Sequence, residues 1–336
     1  MVYTLRICKH LQEFEHEIIC CFRGNAYEEV LNNEIKCENL INSSDVSYKY
    51  LLLKYWKFFR FIRKGSFDLI HYHQGGVGIL LLAFLFRKKA IVFHHLHSGN
   101  PIGDNRRKNI SLIHLFILKY LSTRTYQIAV AKHVYNFYSK KIGQTHNIKL
   151  ITNCTPFSFR RKEEKKNGIG FIGRFTSEKG FPLIKPIAEK LKVLNSSLKI
   201  FLMGEESKNF MQEFDKSGLN VVIILPSFDV AQFYERIDLL LFPSTAPEGM
   251  PLVLLEAVSF DVGIIGYTLP GVKEIVGEDY PLLVNSSDEI MEKIDSYYLN
   301  EIDLNNMSTI HKNISDKHSE VDMFNSISDN YQQLLN

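Results

Sequence analysis

The chain runs twice through the same alternation of short apolar runs and helical stretches. That repetition restricts it to parallel sheets covered by helices. In the first half, HEIICCF (16–22), FDLIHYH (67–73), KAIVFHHLHSG (89–99), YQIAVA (126–131) and NIKLITN (147–153) read as strands. Between them, KYLLLKYWKFFRFIRK (49–64), VGILLLAFLFR (77–87) and SLIHLFILKYL (111–121) have helical length. The second half repeats the order. IGFIG, LKIFLMG (198–204), VVIIL (221–225), DLLLFPS (238–244) and VGIIGY (262–267) read as strands, with helices from Phe181 and over PLVLLEAVSF (251–260). Two such sheets in tandem predict a ligand between the carboxyl ends of their strands.

The 336 residues suffice for two cores. The charged stretch RKEEKK (161–166) reads as the linker. The expected division is 1–160, 161–318, and a closing helix at 319–336. There VDMFNSISDNYQQLLN spaces Phe324, Ile327, Tyr331 and Leu334 along one face.

GIGFIG (168–173) has the G-x-G-x-x-G spacing of a dinucleotide loop, with Glu189 about twenty positions on. Its context is wrong for that role. No apolar run precedes it, and Ile169, Phe171 and Ile172 make it read as a strand. Glu189 falls within the helix marked by Leu183, Ile184, Ile187, Ala188 and Leu191. No dinucleotide is expected. The informative residues are Arg174 and Lys179, in the turn that follows.

FPSTAPEGMPLVLLEAV (242–258) carries the most chemistry. A strand ends at Ser244, and a loop holds Glu248 and Gly249. Pro251 suits a first helical position, where its missing N–H is no loss. The amides of Gly249 and Met250 then form an anion site at a helix N-terminus. Glu256, two turns up the helix, sits in a nearly continuous apolar run. A carboxylate there needs a partner, and a ligand hydroxyl would serve.

This E-x7-E loop and helix, with Gly173, Arg174, Lys179 and Gly180 in G-R-x-x-x-x-K-G, resembles the family 4 glycosyltransferases. DLIHYH, IVFHHLHSG, ITN (151–153), GVKEIV (271–276) and FNSISDNYQQLL resemble other stretches of the same family, so the likeness covers residues 5–335. It implies the GT-B fold: α/β, two Rossmann-like parallel-sheet domains facing a central cleft. It implies a retaining sugar transfer from a nucleotide-diphosphate-sugar donor, with no cofactor and no metal. Arg174 and Lys179 would hold the donor diphosphate, beside Gly173. Glu256 would bind the ribose. Glu248, with Gly249, Met250 and Pro251 of its loop, would hold the donor sugar, and His97 would line that sugar from the other domain. The acceptor implied is a glycan or polyprenyl-linked glycan, in surface polysaccharide, lipopolysaccharide or O-antigen assembly.

Three departures stand out. The chain opens inside the pattern of the first helix, VYTLRICKHLQ, without the opening strand and its Gly-Gly loop. Asp261 and Gly263 stand where the family commonly has Gly and Pro, a change expected to touch turn geometry rather than chemistry. Glu205, in MGEE, replaces a small residue near the base pocket.

Net charge is only +3, but it is divided. Residues 1–150 carry 22 Lys and Arg against 10 Asp and Glu, and the remainder 18 against 27. The basic half suits a phosphate-bearing substrate or an anionic membrane surface. No nucleic-acid-binding motif is present, so nucleic acid is not an expected partner. In 49–64, Lys57, Arg60 and Lys64 line one helical face beside aromatic stripes, as in an interfacial helix. The same pattern suits a helix packed on a sheet with its cations at the rim. Five cysteines (Cys8, Cys20, Cys21, Cys37, Cys154) without C-x-x-C pairing fit a cytoplasmic protein, peripheral at most to the inner face of the membrane.

Two rival readings remain. His71 with His73, and His95 with His97, alternate along two strands and could converge on a metal, as in a hydrolase, although HHLHSG supplies no carboxylate. Alternatively, the chain is a non-catalytic nucleotide-sugar or partner-binding module.

Overall fold

The computed structural model describes residues 7–20, 36–39, 48–73, 77–98, 116–142, 147–194, 196–204, 214, 218–224 and 230–336. It divides into two compact units, Met1–Ile151 with Val321–Asn336, and Thr152–Glu320. Glu205 lies outside the described residues, as do residues 21–22 and 111–115 of two expected elements.

In the first unit, β1 (Glu17–Cys20) and β2 (Lys36–Asn39) form a two-stranded parallel sheet. β2 was not expected: its sequence, KCEN, has no apolar run, and partner pairing makes it a strand. The main sheet runs β3 (Leu69–Tyr72), β4 (Ile91–Leu96), β5 (Tyr126–Ala129) and β6 (Ile148–Leu150) in consecutive parallel order. Helices α1 (Tyr48–Lys64), α2 (Val77–Phe86) and α3 (Lys132–Ile142) alternate with these strands. Phe58 and Ile62 of α1 are buried. The two helices α1 and α2 cross closely at Gly78, where a Cβ would stand 2.6 Å from the Tyr55 hydroxyl.

The second unit holds six parallel strands: β7 (Gly168–Ile172), β8 (Lys199–Met203), β9 (Val221–Ile224), β10 (Leu239–Phe242), β11 (Gly263–Tyr267) and β12 (Leu283–Val284). Their order across the sheet is β9-β8-β7-β10-β11-β12. This is the 3-2-1-4-5-6 order of a doubly wound sheet, which reverses direction between β7 and β10. Its helices are α4 (Ile184–Val193), α5 (Ala231–Tyr234), α6 (Leu252–Ser259), α7 (Pro270–Val276), α8 (Glu289–Tyr298) and α9 (Leu304–Lys317). The last helix, α10 (Glu320–Leu335), lies almost wholly in the first unit, where it buries Phe324, Ile327 and Tyr331.

GIGFIG is a strand. Its glycines serve packing: a Cβ on Gly170 would meet Ile237 Cδ1 at 2.5 Å and Phe233 Cζ at 2.7 Å. Glu189 lies within α4, as its surroundings predict.

The expected boundary at 160/161 moves to 151/152. Residues 152–160 are bonded to the second unit, through Thr155 N to His318 O (3.1 Å) and Arg160 N to Ser259 O (2.8 Å). RKEEKK is no free linker either. Asp238 is fully buried, and its carboxylate accepts from Lys166 N at 2.8 and 2.9 Å and pairs with Lys162 Nζ at 3.4 Å. A buried carboxylate has to recruit such donors, and the charged stretch supplies them.

Candidate active site

Two loops leave the sheet at its reversal point, one from the carboxyl end of β7 and one from that of β10. The first begins at Gly173 (φ 146°), whose N–H donates to Met203 O (2.9 Å). Arg174 follows, with 58% of its side chain exposed and only a 4.0 Å contact to Glu178. A 3₁₀ turn over Ser177–Lys179 ends at Gly180 in the left-handed region (φ 73°). A side chain at Gly180 would strike Pro243, so the turn lies directly on the end of β10. Thr245 N completes the seam by donating to Glu178 O (2.9 Å).

This seam brings two of the expected residues together, Lys179 and Glu248. Lys179 Nζ donates to Glu248 Oε1, which also accepts from Ser244 Oγ (2.9 Å). Both members of the ion pair are only partly buried. The Glu248–Gly249 backbone rests on Gly271 at the start of α7, where a Cβ would be 2.5 Å from Gly249 O and 2.7 Å from Glu248 O. Met250 is buried, and its carbonyl accepts from Asn153 Nδ2 (2.8 Å). Pro251 differs from expectation. It is the N-cap of α6, with an extended ψ of 119°, rather than its first helical residue. The helix therefore begins at Leu252, and Gly249 and Met250 belong to the loop before the cap.

Glu256 is half-buried on α6 and already has a protein partner, because Tyr234 donates its hydroxyl to Glu256 Oε2 (3.0 Å). Burial, and then the neighbouring carboxylate, raise the Tyr234 phenol well above its ordinary value and keep it a donor. The partner that the apolar run requires of Glu256 is thus supplied, at one oxygen, by the protein itself. Ser244 and Tyr234 were not singled out as site residues. Ser244 was visible only as a strand end, and nothing in the sequence signals a contact 22 residues away.

In the first unit, His97 follows the end of β4 and is grouped with three other imidazoles. His71 Nε2 and His95 Nδ1 are 3.0 Å apart, and His73 Nδ1 and His97 Nε2 are 3.1 Å apart. Burial is the main cause of their depressed basicity, which reaches about 3 at His71 and about 4 at His97. His73 and His95 are also held well below their ordinary value, by burial and then by the neighbouring imidazoles.

Two family matches divide the chain. Residues 2–159 match the family described as Glycosyltransferase Family 4, and residues 156–313 that described as Glycosyl transferases group 1. Each match spans just under half of the chain, so its two halves resemble the two domains of glycosyltransferases, and the fold, two parallel-sheet α/β units, is GT-B. An uncharacterised glycosyltransferase of Haemophilus influenzae is 33% identical over 142 residues, 40% of this chain and 39% of that protein. A Bacillus subtilis protein provisionally named a teichuronic acid biosynthesis glycosyltransferase, TuaC, is 29% identical over 38% of this chain and 32% of its own length. The matched region thus spans well under half of these relatives. Among solved structures, Anabaena HepE in complex with UDP-glucose superposes with a TM-score of 0.76 at 16% identity. That match covers 99% of this chain and 95% of HepE.

Proposed function

We propose that the chain moves a sugar, with retention of configuration, from a nucleotide-diphosphate donor onto a glycan or polyprenyl-linked glycan. The observation that carries this reading is the Lys179–Glu248 pair, held at the sheet reversal by two interlocked loops. Ligands of doubly wound sheets bind at that point.

Arg174 and Lys179 hold the diphosphate. Cleavage of the sugar–phosphate bond builds negative charge on this leaving group, so the cations act where charge develops. Glu248 and the Gly249 and Met250 amides orient the sugar, on the loop that Pro251 closes, while Gly173 opens the loop that carries the two cations. Glu256 takes the ribose hydroxyls while Tyr234 holds its other oxygen. His97 keeps the role the resemblance gives it, lining the sugar. HepE was solved with UDP-glucose, and TuaC is provisionally named for teichuronic acid biosynthesis. A uridine donor and a polysaccharide acceptor at the inner face of the membrane are therefore the first to test.

A thermal-shift series with UDP-, GDP- and ADP-sugars identifies the donor, and a UDP-sugar is expected to raise the melting temperature. Arg174→Ala and Lys179→Ala should then each lower turnover ~10²–10³-fold without unfolding the chain. Wild-type turnover in Lys179→Ala would overturn the diphosphate assignment. Donor binding without transfer or hydrolysis, across a panel of acceptors, would make the chain a binding module.

A further inference from the structure

We propose that His71, His73 and His95 form a binding site for one divalent transition-metal ion of the zinc class. The inference stands apart from sugar transfer and uses residues of the first unit alone.

Strand alternation puts His71 and His73 on one face of β3 and its extension, and His95 on the matching face of β4. The strands pair in parallel, with His71 opposite Phe93. One ligand nitrogen from each of the three rings lies within 4.8 Å of the others. Zinc–imidazole bonds of ~2.0–2.1 Å in a tetrahedron require nitrogens about 3.3 Å apart. His71 Nε2 and His95 Nδ1 already stand 3.0 Å apart, with their rings 8° from parallel. A slight opening of this pair would admit an ion.

A second observation concerns the outer nitrogen of His71. Metal-binding imidazoles use their far N–H on a hydrogen-bond partner, which fixes tautomer and ring orientation. His71 Nδ1 is hydrogen-bonded to the Tyr331 hydroxyl from α10. With Nδ1–H donating to that oxygen, Nε2 presents its lone pair toward His95. Tyr331 is itself buried and packs edge-on against Phe93 and Phe14. His73 is oriented by its contact with His97 Nε2.

Among the described residues no carboxylate joins this group, as a hydrolase would favour, but three histidines are an established zinc set. Neutral nitrogen ligands also favour zinc, nickel or copper over magnesium or calcium, which prefer oxygen. The ion would tie β3 to β4, and α10 to both through Tyr331.

The test uses tag-free full-length protein stripped of metal. Calorimetric titration with ZnCl₂ should give one tight site per chain. Co²⁺ in its place should produce the strong visible absorption of a four-coordinate ion. His95→Asn and His73→Ala should each weaken zinc binding at least ~100-fold, and Tyr331→Phe about tenfold. His133→Ala should leave it unchanged, and melting curves check that each variant folds. If a ligand variant fails to fold, the wild-type Co²⁺ spectrum still decides. The absence of a four-coordinate spectrum, or zinc affinity unchanged in folded His95→Asn, overturns the site.

Discussion

Glu256 shows how one side chain can have two kinds of partner. One carboxylate oxygen accepts from Tyr234, whose hydroxyl also contacts Val253 O at 3.1 Å. The helix is therefore braced through Glu256 whether or not a donor is bound. Glu256→Gln preserves an oxygen for Tyr234 but removes the charge offered to ribose hydroxyls. A hydrogen bond to a charged group contributes ~1.5–3 kcal/mol, so donor affinity should fall roughly 10- to 150-fold with little change in melting temperature. Tyr234→Phe should do the opposite, costing about 1 kcal/mol of stability and leaving donor affinity nearly intact. Donor titrations and chemical denaturation of both variants separate the roles. If Glu256→Gln loses stability as Tyr234→Phe does while binding donor normally, Glu256 is a bracing residue and the ribose assignment fails.

At the scale of elements, the turn from α6 into β11 explains why an aspartate can stand where the resemblance leads one to expect glycine. Asp261 has φ 55°, a conformation that favours glycine. Its carboxylate accepts from Ser308 Oγ (2.8 Å) and Lys162 N (3.2 Å) and pairs with His311 Nδ1 (2.9 Å). His311 continues to the Tyr280 hydroxyl (2.8 Å), which accepts from Ile264 N (3.1 Å) in β11. Burial alone would raise the Asp261 carboxyl, but His311, Ser308 and the Lys162 amide together outweigh it and hold it below 3.8. A depressed carboxyl stabilises the fold above its ordinary value, and that contribution is lost as pH falls through the folded value. Asp261→Asn should therefore be about 2 kcal/mol less stable than wild type at neutral pH. The gap should close below pH 3.8, as the wild-type carboxyl protonates. Denaturant midpoints measured down the pH scale check this, and a gap that stays constant would show that the charge is irrelevant. The turn also marks a limit of the sequence. The order of strands and helices was legible from apolar runs, including GIGFIG, because local periodicity carries it. β2 was not, because KCEN becomes a strand only through β1. Nor was the attachment of RKEEKK, which depends on the buried Asp238 more than 70 residues away. In the site, Arg174, Lys179 and Glu248 were legible from their loops, whereas the Ser244 and Tyr234 contacts depend on how β10, α5 and α6 pack.

On the scale of the whole molecule, the uneven charge of the sequence has a structural counterpart on the surface of the first unit. One stripe of α1 faces inward through Phe58 and Ile62, so the packing reading of this helix holds for that face. The neighbouring stripe does not, because Leu52 is 57% and Trp56 51% exposed. Arg60 lies over the Trp56 ring at 4.7 Å. The pattern recurs nearby, with Arg87 over Phe84 at 3.8 Å and Arg124 over Tyr120 at 4.1 Å, while Phe116 and Leu85 are exposed. Aromatic rings beside arginines suit the headgroup layer of an anionic bilayer, where rings insert shallowly and cations meet phosphate. Among the described residues no helix is long and apolar enough to cross a membrane. Each Lys or Arg near such a surface contributes ~1 kcal/mol, so Lys57→Glu with Arg60→Glu should weaken binding to anionic vesicles by at least about 30-fold. Trp56 is the only tryptophan of the chain, so its emission reports on this patch alone. It should shift to the blue with anionic vesicles at low salt, shift back as salt is added, and stay unchanged with neutral vesicles. Equal sedimentation of wild type and double variant with anionic vesicles, or an emission spectrum indifferent to them, would leave the exposed stripe without a role at the membrane.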